Sequence, residues 1–237
     1  MRRIDAPEIL DSDACSRADV ATSMKDIGRV NRWFGGVATT QKMAERVAQA
    51  AGVKHLTLLE VAAGSGEVPE LVQRRLASRG INLEVTLLDR AQSHLPAQNP
   101  GLVGDALALP FADGAFDLVS CVLFAHHLPP EQLGLFMREG LRVSRLALLI
   151  NDLVRDPVHL ALAFAGYPLM RSRVAWHDGL TSVRRAYVEH EIRGLVKTAF
   201  PDGTPRVEIA RNYLFRMGVI LWKKDSRLRE WHNPYGH

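Results

Sequence analysis

The sequence predicts an α/β protein with an open, mainly parallel sheet and helices on both faces, on three observations. Short apolar segments of strand length alternate with amphipathic helical patterns between residues 39 and 152. The runs Leu56 to Leu59 and Leu83 to Leu88 suit strands covered on both faces. Between them, Gly64-Ser65-Gly66 lets the backbone turn where a Cβ would obstruct a ligand, and Glu67 opens a helix whose first N–H groups face the strand ends.

The elements follow in order. Asp11 to Asn31 reads as a polar helix and Thr39 to Ala51 as an amphipathic one, with Gly35-Gly36 as a hinge between them. Leu83 to Leu88 ends in Asp89, ahead of a helix expected near Ala91. A strand at Phe116 to Leu123, a helix at Pro130 to Val143 and a strand at Arg145 to Asp152 continue the alternation. It then pauses: Pro157 to Met170 reads as an apolar helix, Arg171 to Thr181 as a loop, and Ser182 to Phe200 as one or two helices. Val207 to Arg211 and Tyr213 to Lys223 close the chain's pattern as an antiparallel pair.

At 237 residues with 47% hydrophobic content, one α/β domain with a large core is sufficient. The longest apolar runs, such as Leu146 to Ile150, are far below the ~20 residues that span a bilayer, so no membrane span is expected. Met1-Arg2-Arg3 leads into charged sequence, and a soluble cytoplasmic protein is the expectation. Cys15 and Cys121 show no metal-ligand spacing, so they read as reduced thiols and no metal is predicted. Charge is uneven: residues 138–237 hold 17 Lys+Arg against 10 Asp+Glu, leaving 13 against 16 of the chain's 30 and 26 in the first 137. The arginines are dispersed along helices without a dense basic run, which argues against a nucleic-acid substrate.

The glycine turn discriminates between cofactors. A dinucleotide site requires Gly-x-Gly-x-x-Gly, and Pro69 occupies the third glycine position. Asp89, about 20 residues beyond the turn, stands where a doubly wound sheet places an acidic group on a ribose diol. The plain alternative is an N-cap for the helix near Ala91.

The segment Glu60-Val61-Ala62-Ala63-Gly64-Ser65-Gly66 resembles the acidic-x-Gly-x-Gly-x-Gly signature of class I S-adenosylmethionine-dependent methyltransferases, with Ala62 in place of the first glycine. Gly104-Asp105-Ala106-Leu107-Ala108-Leu109-Pro110-Phe111 is similar to a block in methyltransferases of the type 11, ubiquinone and menaquinone kind. The resemblance implies a Rossmann-like seven-stranded sheet with an N-terminal helical lid over residues 1–38. A methyltransferase domain would then run over 39–237, with a helical insertion at about 153–204, before the last two strands, as substrate cover. It also implies that Glu60, Ala62, Gly64, Ser65, Gly66, Asp89, Arg90, Asp105, Ala106, Leu107 and Leu123 line the S-adenosylmethionine site, where S-adenosylhomocysteine would be the product. Glu60 would order polar groups near the ammonium, Asp89 hold the ribose and Asp105 mark the adenine.

The segment Phe124-Ala125-His126-His127-Leu128 lies beside the methyl donor in the resembling family, which makes His126 and His127 candidate bases. A hydrogen-bonded structural role is the alternative for either. Arg32 and Trp33 beside the glycine pair, and His177 and Arg184 in the insertion, are candidate lid and substrate residues. Packing, a loop turn with a local hydrogen bond at Asp178, and surface charge are the competing readings. The expectation is a methyltransferase acting on oxygen or carbon of an aromatic, quinone-like or polyketide-derived small molecule, as a monomer or homodimer. A non-catalytic S-adenosylmethionine-binding protein, a methyltransferase acting on RNA or protein, and a nicotinamide-dependent oxidoreductase are the alternatives.

Overall fold

The computed structural model describes residues 1–11, 15–96 and 101–224. Seven strands form one sheet: β1 (His55–Val61), β2 (Asn82–Asp89), β3 (Leu102–Val103), β4 (Phe116–Val122), β5 (Ser144–Leu153), β6 (Val207–Tyr213) and β7 (Arg216–Trp222). Their order is β3-β2-β1-β4-β5-β7-β6. Strands β1 to β5 pair in parallel, and β7 runs antiparallel to both β5 and β6.

The helices are α1 (Arg17–Trp33), α2 (Gly36–Ala51), α3 (Glu67–Ala77), α4 (Pro130–Val143), α5 (Pro157–Ala165), α6 (Arg173–Arg185) and α7 (Glu189–Ala199). Alternation along the central strands serves two cores. Leu56 and Leu58 of β1, with Ala147 and Leu149 of β5, pack beneath α2 and α3 against Val47, Val72 and Leu76. Leu59, Val61, Leu148 and Ile150 face the other way, toward Phe136 and Met137 of α4 and Ile192 and Val196 of α7. Period-2 alternation thus feeds both faces, which is why these strands read as nearly continuous apolar runs.

Several expectations are corrected. Among the described residues no helix forms near Ala91; residues 92–94 make turns. The segment expected as a loop, Arg171 to Thr181, lies largely within α6, started by Ser172, whose side chain accepts the Ala175 N–H. The apolar helix breaks at Gly166, and a 3-10 turn, Tyr167–Leu169, follows it. The polar helix expected from Asp11 begins at Arg17, capped by Ser16, and residues 12–14 of that expectation lie outside the described residues. Gly35, expected as part of a hinge, has φ +79° and caps α2, and a Cβ there would meet Tyr213 at 2.6 Å.

Residues 1–11, the opening part of the segment expected as a lid over 1–38, form a strap, and α1 follows within the same segment. Asp178 of α6, buried, accepts the N–H groups of Ile9 and Leu10 at 2.8 and 2.9 Å. Arg3 donates to the carbonyls of Arg185, His126 and Leu128, and Arg155 reaches the Met1 carbonyl at 2.9 Å.

Candidate active site at the strand switch point

The strand order places β1 beside β4, and in an open α/β sheet the crevice outside the carboxyl ends of such strands is where ligands bind. A cleft of about 1650 Å³ opens there. Its floor is made by Glu60 near the end of β1 and Ala62 just after it, Asp89 at the end of β2, Val122 at the end of β4 and Leu123 just after it. The strap, α1, α5 and α6 supply its walls.

Two non-glycine residues at this floor have left-handed backbones, Ala62 at φ +54° and Leu123 at φ +55°. Such conformations cost an L-residue roughly 1–2 kcal/mol. Ala62 stands where the resembling motif has glycine, so the substitution retains the turn at an energetic cost. Gly64 is also left-handed, and a Cβ there would meet only Met24 Sδ at 3.8 Å, so space lies beside it. At Gly66 a Cβ would strike Leu87 at 2.7 Å, so this glycine serves packing of α3 on β2.

Glu60 is 2% exposed, and its Oε2 is buried without a hydrogen-bond partner, as is Ser120 Oγ, its register partner on β4. Burial pushes its pKa up to about 8, with Ser120 acting in the opposite direction. A buried, orphaned carboxylate oxygen facing a cleft suits a cationic ligand.

Asp89 is already engaged. Its Oδ2 accepts the Gly64 N–H and its Oδ1 the Ala91 N–H, both at 2.9 Å, with His94 Nδ1 3.6 Å from Oδ1. Burial works against ionisation here, but His94 and these two N–H groups hold the pKa below the usual carboxylate value. The capping alternative therefore survives as a local turn at Ala91. Each oxygen still has acceptor capacity toward the cleft. Exposed Asp105 accepts the Leu107 N–H at 2.8 Å, which shapes the edge formed with Ala106 and Leu107. Ser65 and Arg90, both exposed, also line the cleft.

The paired histidines occupy a 3-10 turn, Ala125–His127, and differ sharply. His126 is 1% exposed; its Nδ1 lies 2.7 Å from Asp152 Oδ1 and its Nε2 3.4 Å from Glu8 Oε1. Burial lowers its pKa, but the Asp152 and Glu8 carboxylates override this and push it up to about 9. A histidine so held favours its imidazolium form, which suits the hydrogen-bonded structural role better than that of a base. His127 is half-buried, lines the cleft and lies 3.6 Å from Glu8 Oε2. Arg185 grips the turn from behind, donating to the carbonyls of His126 and His127. Glu8, His126 and His127 bring ligand-type atoms within 4.8 Å of one another, a donor set that could also hold a transition metal. The expectation of no metal rested on the cysteines and overlooked Glu8.

The expected substrate residues divide. Trp33 is exposed at the mouth of the cleft. Arg32 pairs with Glu67 at 3.2 Å, holding α1 on the start of α3. His177 and Arg184 are displaced from the site. His177 lines a separate surface pocket with Trp176 and Tyr167, and Arg184 is exposed outside the cleft lining. The helical phase of α6, which the loop reading concealed, turns Asp178, Ser182 and Arg185 inward instead. Sequence reasoning missed Glu8 and Arg216. Buried Arg216 lines the cleft and donates to Asn31 at 2.9 Å; burial pulls its pKa down to about 10, against the attraction of Asp152.

This sheet order, with its cleft at the β1 and β4 ends, is the fold of the class I S-adenosylmethionine-dependent methyltransferase superfamily. Residues 59–146 match a protein family described as a methyltransferase domain. Among solved structures, one from Methanococcus maripaludis, described as a candidate S-adenosyl-L-methionine-dependent methyltransferase, aligns with TM-score 0.57 and 13% identity. It covers 90% of this chain and 97% of its own. A methyltransferase from Aquifex aeolicus aligns with TM-score 0.54, 15% identity and coverage of 88% and 98%. Human N-acetylserotonin methyltransferase, in complex with S-adenosylmethionine, gives TM-score 0.58, 11% identity and coverage of 88% and 56%. No curated protein matches the chain.

Proposed function

We propose that the protein transfers a methyl group from S-adenosylmethionine to an oxygen or carbon of a small molecule, aromatic, quinone-like or polyketide-derived. The observation that carries this reading is Glu60, whose Oε2 is buried at the cleft floor without a hydrogen-bond partner and which would ionise to meet the donor's ammonium. Room beside Gly64, the spare acceptor capacity of Asp89 and the edge formed by Asp105, Ala106 and Leu107 suit the remainder of the donor. The bound sulfonium supplies an electrophilic methyl whose C–S bonding pair returns to sulfur as the acceptor bonds to carbon.

The protein's own contribution is positioning within a walled cleft, worth up to roughly 7–11 kcal/mol in well-aligned cases. His127 faces the cleft beside Glu8 and is the histidine placed to take a proton from an acceptor hydroxyl. His126 holds the turn in place. Ring walls such as Trp33 and Phe34 suit a flat or apolar acceptor better than a nucleic acid.

Calorimetric titration with S-adenosylhomocysteine, with NADH as control, tests the reading. Micromolar binding of the adenosyl ligand alone is expected, and Asp89→Ala weakens it about tenfold or more through lost charged hydrogen bonds. Binding of NADH instead overturns the assignment. Donor binding without methylation of any acceptor in a broad panel would point to a non-catalytic binder.

A further inference from the structure

Helix α5 has the sequence Pro-Val-His-Leu-Ala-Leu-Ala-Phe-Ala, with no buried residue and no charge apart from what His159 can carry. Val158, Leu162 and Phe164 are 58%, 54% and 64% exposed. They are not isolated. Leu169 follows α5, Trp33 ends α1 with Phe34 just after it, and Tyr213 ends β6 with Leu214 in the turn to β7, all exposed. These segments touch one another. Gly35 abuts Tyr213, His159 stacks on Phe215 at 4.7 Å, and Arg29 approaches the Leu169 carbonyl at 3.5 Å. Trp33, Phe34, Leu162, Leu169 and Leu214 also line the cleft. Exposed aromatic and aliphatic side chains therefore ring its mouth, where a contiguous apolar patch marks an interaction site.

The charges on this ring indicate what covers it. Arg171 and Arg173 follow Leu169, and Arg211 precedes Tyr213; all three are exposed and none is ion-paired among the described residues. The neighbouring acids are engaged: Glu67 with Arg32, and Asp156 with the N–H groups of Val158 and His159. Apolar and aromatic side chains bordered by uncompensated arginines are the composition of a surface that inserts shallowly among anionic headgroups. No helix among the described residues is long and apolar enough to cross a membrane, so the contact lies in the interface plane.

We propose that this ring docks the protein on an anionic lipid bilayer, the cleft mouth facing the membrane, so that an amphiphilic acceptor reaches the site from the bilayer. The acceptor class rests on the methyltransferase reading above; the docking itself does not.

The test is co-sedimentation of the full chain with vesicles of phosphatidylglycerol and phosphatidylcholine, or of phosphatidylcholine alone, at low and high salt. Binding to the anionic vesicles is expected, with at least about a tenfold loss in high salt or on neutral vesicles, as screening of a surface charge contact requires. Val158→Glu/Phe164→Glu abolishes it, and Arg171→Glu/Arg173→Glu weakens it by about tenfold or more. Both double variants retain wild-type unfolding midpoints and S-adenosylhomocysteine affinity, which separates docking from folding and from the donor site. Absence of vesicle binding, or binding indifferent to the substitutions, overturns the proposal. So does a wild-type dimer that Val158→Glu/Phe164→Glu dissociates without any vesicle association, because the patch would then cover a second copy. Vesicle binding without S-adenosylhomocysteine binding upholds the docking and sinks only the methyltransferase reading.

Discussion

Asp152 holds His126 twice: one carboxylate oxygen lies 2.7 Å from the ring Nδ1, and the other accepts the same residue's backbone N–H at 2.9 Å. Ring orientation and turn geometry are thereby set by one side chain at the end of β5. Glu8 completes the arrangement from the opposite side, and its own pKa lies below the usual value, burial notwithstanding, because both histidines favour its charged form.

This pairing makes stability depend on pH. The folded pKa of His126, about 9, lies above the ordinary 6.5, so the folded state holds a proton that the unfolded state releases. The contribution is full below pH 6.5 and is lost as pH rises to about 9, amounting to roughly 3 kcal/mol at the limit. Urea unfolding of wild type and His126→Asn across this window should show the wild-type decline and a flatter profile in the variant. Parallel profiles would mean that His126 is not the imidazolium described.

Glu60 acts on the same axis in a lower window. It keeps a proton up to about pH 8 when folded, whereas the unfolded side chain gives it up near 4.5, so stability falls as pH rises between these values. Glu60→Gln removes this loss and gains stability relative to wild type by on the order of 4 kcal/mol at pH 8. The same substitution weakens S-adenosylmethionine binding, because the neutral amide lacks the charge that meets an ammonium. Binding to wild type near pH 7 also releases a proton, visible as a calorimetric enthalpy that changes with buffer ionisation enthalpy.

Ala62→Gly relieves the left-handed strain at the β1 turn. A stability gain of about 1 kcal/mol is expected in equilibrium unfolding, the relief being partly offset by glycine's greater freedom in the unfolded chain. A destabilised variant would show that the alanine methyl contributes packing that outweighs the strain.

Asp178→Ala leaves the Ile9 and Leu10 N–H groups without their acceptor. The strap should loosen first, seen as faster amide exchange at residues 9 and 10 and as weaker acceptor binding, while S-adenosylhomocysteine affinity changes little. Equal losses at the donor and acceptor sites would argue against a strap role.

Much of the sheet was legible because its signals are local. Leu56 to Val61 followed by Gly64-Ser65-Gly66 identifies strand, turn and helix within a dozen residues, and Pro130 to Val143 matches α4 end to end. Helix α6 was hidden because its inward face is polar: Asp178, Thr181, Ser182 and Arg185 are buried against the strap and the histidine turn, not against an apolar core. Hydrophobic periodicity cannot report a helix whose buried partners are carbonyls, N–H groups and Glu8. Glu8 was missed for the same reason in another form, since its partners His126 and Ser182 lie far along the chain and leave no spacing pattern around it. Asp89 was legible as the acidic residue ending β2, but its links to Gly64 and Ala91 depend on how the two turns meet in space.

The strap has a consequence for the order in which the molecule is assembled. Residues 1–11 are made well before their anchors, Asp178, Ser182 and Arg185, which belong to a helix more than 160 residues further along the chain. The central strands β1, β2 and β4 and helices α2 to α4 can pair as they emerge, while the opening segment waits without its partners. This wall of the cleft is therefore completed after the central sheet, and a chain halted before α6 would carry most of the parallel sheet but no completed histidine turn.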